Sequence, residues 1–344
     1  MIGSNKFKKD IKNKLSNKPL LLCGKEMKQS EKYTYLGDEL SDRGLSHSVM
    51  STIDKRYGKV YKAIFEINII ISDVRSCVPG AFSTAMMLWN MSVLPALYSS
   101  AGCWMKLPAA AVQKLNKLSQ LFLSTVLQAG PKCPIPALYW YTGSLLPINK
   151  IIEEKVLLLR HVANLGSTTL AAEVLAAQRQ LELANTLWSE GSKYLRELQI
   201  SVSDLTFLSK TQFKTKLRRA IEKKNKRELL GQIREYKKID HWKLKDEPFE
   251  LKKYFTQLTL KDARVKFSLD TKMLRGIKAE FSSDPQNEAE LWVCDFCLRA
   301  QSLRHMEICP YFERERQNRA LNDVKDLVSY FKDIMTIRME EDRC

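Results

Sequence analysis

The sequence predicts a mainly α-helical chain, with a short β segment near its start and a small metal-tied unit near its end. Three observations carry this. From Ile53 to Leu198 apolar residues recur every three or four positions, the period of a helix that buries one face. Short runs rich in β-formers are confined to residues 19–37. Near the C-terminus, Cys294, Cys297, His305 and Cys309 are spaced Cys-x2-Cys-x7-His-x3-Cys, a ligand pattern for a metal.

Taken in order, Pro19 to Cys23 and Tyr33 to Leu36 are apolar runs, each stopped by a glycine, and suggest strands or a hairpin. A helix takes over near Ser48, with Ile53, Val60, Ile64, Ile67 and Ile71 on one face. Pro79-Gly80 breaks it. A second helix is expected from Ser83 to about Val93, ended by Pro95, with a further apolar turn reaching Trp104. Pro108 opens the next, striped by Val112, Leu115, Leu118, Phe122 and Val126, and Gly130-Pro131 closes it. Cys133 to Pro136 reads as a rigid extended link. Helices are expected at Ile148–Leu165, Leu170–Gln180 and Asn185–Leu198, and a last amphipathic one through Ala320, Val324, Leu327, Phe331 and Ile334.

With 44% hydrophobic residues in 344, the chain has ample material for a core, which argues against global disorder. The formal charge of +17 points to a polyanionic partner, nucleic acid before an anionic membrane surface. No charge falls between Ser76 and Met105, a length that could span a bilayer, but Pro79, Gly80, Asn90 and Pro95 divide it, and a buried helix pair is expected instead. Eight cysteines without a disulfide framework suit a reducing compartment, so the expected location is intracellular, in nucleus or cytoplasm.

The charge is concentrated. Lys210 to Lys278 holds 22 Lys and Arg against 9 Asp and Glu, a surplus of 13. Lys214, Lys216, Arg218, Arg219, Lys223, Lys224, Lys226 and Arg227 crowd one expected helix. A solvated face laced by Glu222, Glu228 and Glu235 is one reading. So much like charge repels itself unless an anion compensates it, which favours phosphate binding. Tyr236, His241, Trp242, Tyr254 and Phe255 lie among or beside these bases, placed either to stack on unpaired nucleobases or to pack a small helical core.

No phosphate loop or dinucleotide fingerprint occurs, and no Ser or Cys nucleophile stands at a recognisable spacing from a histidine. His161, in an apolar helix, reads as a core histidine. The pairs Asp38-Glu39, Glu153-Glu154 and Asp246-Glu247 read as solvated charge, and nothing has the form of carboxylates on adjacent strands that would hold two divalent ions. No catalytic residue is expected.

The Cys-Cys-His-Cys cluster is different in kind. Two cysteines three positions apart aim their sulfurs at one point, and His305 and Cys309 share a helix face one turn apart. Three thiolates and an imidazole suit tetrahedral zinc and leave no position open for water, so the expected role is structural. Binding would supply about 10 kcal/mol to fold a unit too small for its own core. Around it Arg299, Arg304, Arg314 and Arg316 lie among Trp292, Phe296, Tyr311 and Phe312, suited equally to gripping a single strand or to packing round the metal.

Several segments in this order resemble the C-terminal part of a reverse transcriptase from a non-long-terminal-repeat retrotransposon of the LINE-like, jockey-like kind. They are Lys32 to Gly37, Thr52 to Arg56, Pro95 to Leu97 before Trp104, Cys133 to Leu138 before Gly143, Ile151 to Lys155, and finally Cys294, Cys297, His305 and Cys309 to Tyr311. The resemblance implies an end-of-palm β segment at 1–45, a helical thumb-like domain at 46–200, a basic helical linker at 201–281, and a zinc knuckle with its helix at 282–344. It implies RNA, DNA or a hybrid as partner. The Asp-Asp palm motif, which precedes the Tyr-Leu-Gly strand in that family, does not occur before Tyr33, so a fingers and palm module is expected from upstream sequence. A helical interaction scaffold with purely structural zinc is the alternative.

Purified protein is expected to carry stoichiometric zinc. Cys297→Ser should release it and loosen residues 285–344 while the helices before 200 persist, as metal analysis and limited proteolysis would read.

Overall fold

A computed structural model describes residues 21–22, 25–26, 32–35, 38–41, 43–74, 78–130, 133–236, 249–271, 313 and 323–341. Each apolar run near the start heads a hairpin of its own. β1 (Leu21–Leu22) pairs antiparallel with β2 (Lys25–Glu26), and β3 (Lys32–Tyr35) with β4 (Asp38–Ser41), Tyr33 opposite Leu40. The rest is helical. α1 (Leu45–Ile69) ends in a π turn (Ile70–Val74) and buries Ile53, Val60, Ile64, Ile67 and Ile71, the stripe read from the sequence.

Pro95 does not end the second helix. α2 (Ala81–Leu88) runs through a π turn (Trp89–Val93) into α3 (Leu94–Tyr98), with Pro95 in its first turn. A proline ring clashes with the carbonyl four residues back in a regular helix; the wider π turn relieves that clash, and the missing N–H falls where the ladder is already broken. α4 (Ala109–Leu127) follows Pro108 and stops at Gln128, which adopts the left-handed conformation. Pro136, too, lies inside a helix. Only Cys133-Pro134 forms a link, and α5 (Ile135–Thr142) accepts Pro136 in its first turn, where no N–H is needed. Gly143 ends α5 at φ 62°, and a Cβ there would meet the backbone of Glu250 and Leu251 at 2.7 Å, so only glycine fits.

α6 (Pro147–Ala163), α7 (Leu170–Gln180) and α8 (Leu187–Glu197) fall where helical spacing places them, the last two capped by Thr169 and Thr186. A short α9 (Asp204–Phe207) leads to α10 (Lys210–Ile233), opened by a capping box of Ser209 and Gln212. α11 (Tyr254–Gln257) and α12 (Leu260–Asp270) follow. α13 (Val324–Glu341) packs on α12 and buries Val328, Tyr330 and Phe331. Lys332 bonds Asp262 across that interface. Burial alone would raise the Asp262 carboxyl's pKa, but Lys332 and Thr259 outweigh it and hold it below its ordinary value.

Two apolar clusters form the core. The larger joins α1 to α5 with α11, α12 and the end of α10; the smaller joins α6 to α9 with the start of α10. The stretch read as a linker, 201–281, is therefore built into the body in its described part. Phe213, Leu217 and Ile221 enter one cluster, Leu229 and Ile233 the other. Among the described residues no helix is long and apolar enough to cross a membrane.

Two buried cations tie these layers. The Arg56 guanidinium donates to Asp38 Oδ1 at 2.8 Å and to the Leu97 carbonyl at 2.9 Å, which fastens β4 to α1 and α3. Burial lowers its pKa, with Asp38 opposing the shift. Lys155 is wholly buried on α6 and paired with Glu190 of α8, whose other oxygen accepts from the Lys106 N–H at 2.7 Å.

Glu190→Gln keeps the Lys106 bond but leaves the Lys155 charge buried without its counter-ion. It should cost about 3–5 kcal/mol in urea unfolding, and adding Lys155→Met should recover most of the loss.

Candidate nucleic-acid interface

α10 buries Phe213, Leu217, Ile221, Asn225, Leu229 and Ile233, one residue in every four. A four-residue stride overshoots the helical turn by about 40°, so over five strides the buried stripe winds about 200° round the axis. That lets one helix serve both clusters. It also turns its bases outward along a parallel path.

Eight residues of this helix were expected to bind phosphate, and the structure divides them. Lys214, Arg219, Lys223 and Arg227 are exposed and form no ion pair among the described residues. Arg219, Lys223 and Arg227 stand at spacing four, a row with about 6 Å between neighbours along the axis. The others are engaged. Lys216 bonds Asp204 at 2.7 Å, and that bond holds the Asp204 carboxyl below its ordinary pKa. The Arg218 Nε lies 3.5 Å from Glu153, and the Lys226 ammonium sits 5.7 Å from the Trp140 ring centroid.

Lys224 belongs to the fold. Its ammonium donates to Asn149 Oδ1 at 3.2 Å and pairs with Glu228 at 3.1 Å. Asn225, wholly buried, accepts from the Leu146 N–H at 2.9 Å and from the Asn149 amide at 3.0 Å, and Asn149 also reaches Glu228 at 2.7 Å. This network bolts α10 to the start of α6. A polar residue in an otherwise apolar four-residue series was the available signal for it.

Three other expectations are corrected. Glu153, read as solvated charge, is 4% exposed, because Lys150 at 2.7 Å and Arg218 supply the counter-charge that lets a carboxylate enter the interior. Burial alone would lower the Lys150 pKa, but Glu153 and Glu154 raise it above its ordinary value. His161, read as a core residue, is exposed, in the last turn of α6 where a basic side chain suits the helix dipole. Asp38-Glu39 is likewise structural: Asp38 takes Arg56, while Glu39 accepts from Ser51 and its N–H donates to Thr52.

Among the interleaved aromatics, Phe255 is buried against Phe82 with ring centroids 4.1 Å apart, Tyr254 is buried beside it, and Tyr236 is exposed. His241, Trp242, Arg299 and Arg304 lie outside the described residues, as do all four expected zinc ligands, Cys294, Cys297, His305 and Cys309. The sequence did not anticipate a cleft of about 680 Å3 that α10 shares with α2 to α6. Nor did it flag an exposed row on α1, where Tyr61, Phe65 and Ile69 follow one another at four-residue spacing, with the half-buried Tyr57 stacked on Tyr61.

Comparison with protein-family models, with curated proteins and with solved structures found no match.

Replacing Arg219, Lys223 and Arg227 together by Gln should change folding stability by no more than about 0.5 kcal/mol. Asn225→Ala orphans the Leu146 N–H and one of the two Asn149 amide hydrogens, and should cost about 1–3 kcal/mol. Urea unfolding of both variants checks the division of α10 into a structural and a free face.

Proposed function

We propose that this chain is a nucleic-acid-binding part of an RNA-directed DNA polymerase of the non-long-terminal-repeat retrotransposon type. In this reading it grips template–primer and target, and the catalytic carboxylates come from a fingers and palm module outside it. The carrying observation is the row Arg219, Lys223 and Arg227, exposed and free of ion pairs among the described residues on a rigidly anchored helix. Cations left unpaired on a fixed scaffold are what a phosphate backbone requires, since counter-ion release supplies most of the affinity. The ordered resemblance of residues 32–155 and 294–311 supports the polymerase context. The zinc knuckle adds a second basic surface through Arg299 and Arg304.

A second reading, a protein-interaction scaffold, is favoured by the row of Tyr61, Phe65 and Ile69 on α1, exposed at 44%, 39% and 57%.

Binding to a primer–template duplex and to single-stranded RNA, titrated across a salt series, separates the two. Affinity should fall steeply with salt, and the Arg219, Lys223 and Arg227 triple Gln variant should shallow the slope of log K against log salt by about 2–3. A flat salt response, or no binding at low salt, refutes the first reading.

A further inference from the structure

The cleft beside α10 has two kinds of wall. Its floor is aromatic, with Trp89, Tyr98 and Tyr139, and its rim is charged. Tyr139 is buried, and its hydroxyl faces Ser119 on the cleft lining without completing a well-formed hydrogen bond. An interior hydroxyl so weakly satisfied is costly, and a ligand atom reaching it removes that cost. The rim carries the carboxylates of Glu153, Glu154 and Glu222 against the cations Lys150 and Arg218. Lys150 is spent on Glu153 and Glu154, Arg218 lies against Glu153, and Glu222 has no ion pair among the described residues. The Arg218 guanidinium keeps N–H donors free, but the three rim carboxylates outnumber the two cations, and Glu222 is an acceptor left over. A phosphate would be repelled there, whereas an amino group would be held.

The cleft and the cationic row share one helix. Arg218 and Glu222 each precede a member of the row, Arg219 and Lys223, by one residue, about 100° round the axis. A strand whose phosphates follow the row thus passes beside the cleft's mouth.

We infer that this cleft receives one unstacked nucleobase bearing an exocyclic amino group, cytosine being the smallest, from a strand held by Arg219, Lys223 and Arg227. The inference rests on the nucleic-acid reading above and adds a base-reading pocket to it. The aromatic floor takes the ring, the rim carboxylates accept from the amino group, and Tyr139 meets the inner edge. At about 680 Å3 the space suits a nucleoside. Uracil has the same size but presents a carbonyl where cytosine presents an amine, so carboxylates discriminate between them.

The test uses the full chain at neutral pH with oligocytidylate, oligouridylate and an abasic oligonucleotide of equal length, read by fluorescence anisotropy. Oligocytidylate should bind about tenfold more tightly than oligouridylate, with the abasic strand weakest. Tyr139→Phe keeps the ring and should weaken oligocytidylate severalfold without touching the abasic strand. Equal affinity for the two pyrimidine strands, or a Tyr139→Phe variant that alters neither, overturns the pocket and leaves phosphate binding standing. If no oligonucleotide binds, the phosphate reading fails, and free cytidine examined by saturation-transfer NMR decides the pocket separately. A cytidine signal that the unsubstituted chain gives and Tyr139→Phe abolishes supports the pocket. A signal of equal strength in both chains, or none in either, overturns it.

Discussion

The fold depends on how α10 meets two cores with one helix. An apolar residue at every fourth position is a poor match to 3.6 residues per turn, and the mismatch is useful. The buried line rotates as the helix advances, from Phe213 in the smaller cluster to Ile233 in the larger. A helix with so many bases has little intrinsic reason to settle on a body that is itself basic. The line of apolar side chains holds it there, and the Asn149–Asn225–Glu228 network sets its register. Its free cations are then displayed on a surface whose geometry is set from within.

Much of the helical architecture was legible because it rests on short-range periodicity. The stripes of α1 and α4 and the extents of α6, α7 and α8 follow from spacing and caps alone. Proline misled twice, at Pro95 and Pro136, because its rule concerns the regular helix interior. A π turn and a first helical turn are the two places where the rule does not apply. The site was legible only as composition. Eight bases crowding one helix could be counted, but which of them point to solvent depends on Asp204, Glu153, Asn149 and Trp140, and three of those four come from other, distant segments. Glu153 shows the same limit, since a carboxylate enters the interior only if cations from two helices meet it there.

The buried polar groups share one logic. Arg56, Lys155 and Asn225 each join elements far apart in sequence, and each meets directional partners where apolar packing would tolerate sliding. Apolar burial supplies the driving force for collapse but is indifferent to small shifts. Hydrogen bonds to a fixed carbonyl or carboxylate are not, so these three side chains choose one packing among several of similar apolar content.

The π turn between α2 and α3 has one more effect. It lodges an extra residue in the helix without lengthening the path it spans, so the segments on either side keep their relative phase. Removing a single residue from Trp89–Val93 would restore an ordinary winding, in which the Pro95 ring would clash with the carbonyl four residues back. In this stretch the number of residues is as tightly constrained as their chemistry.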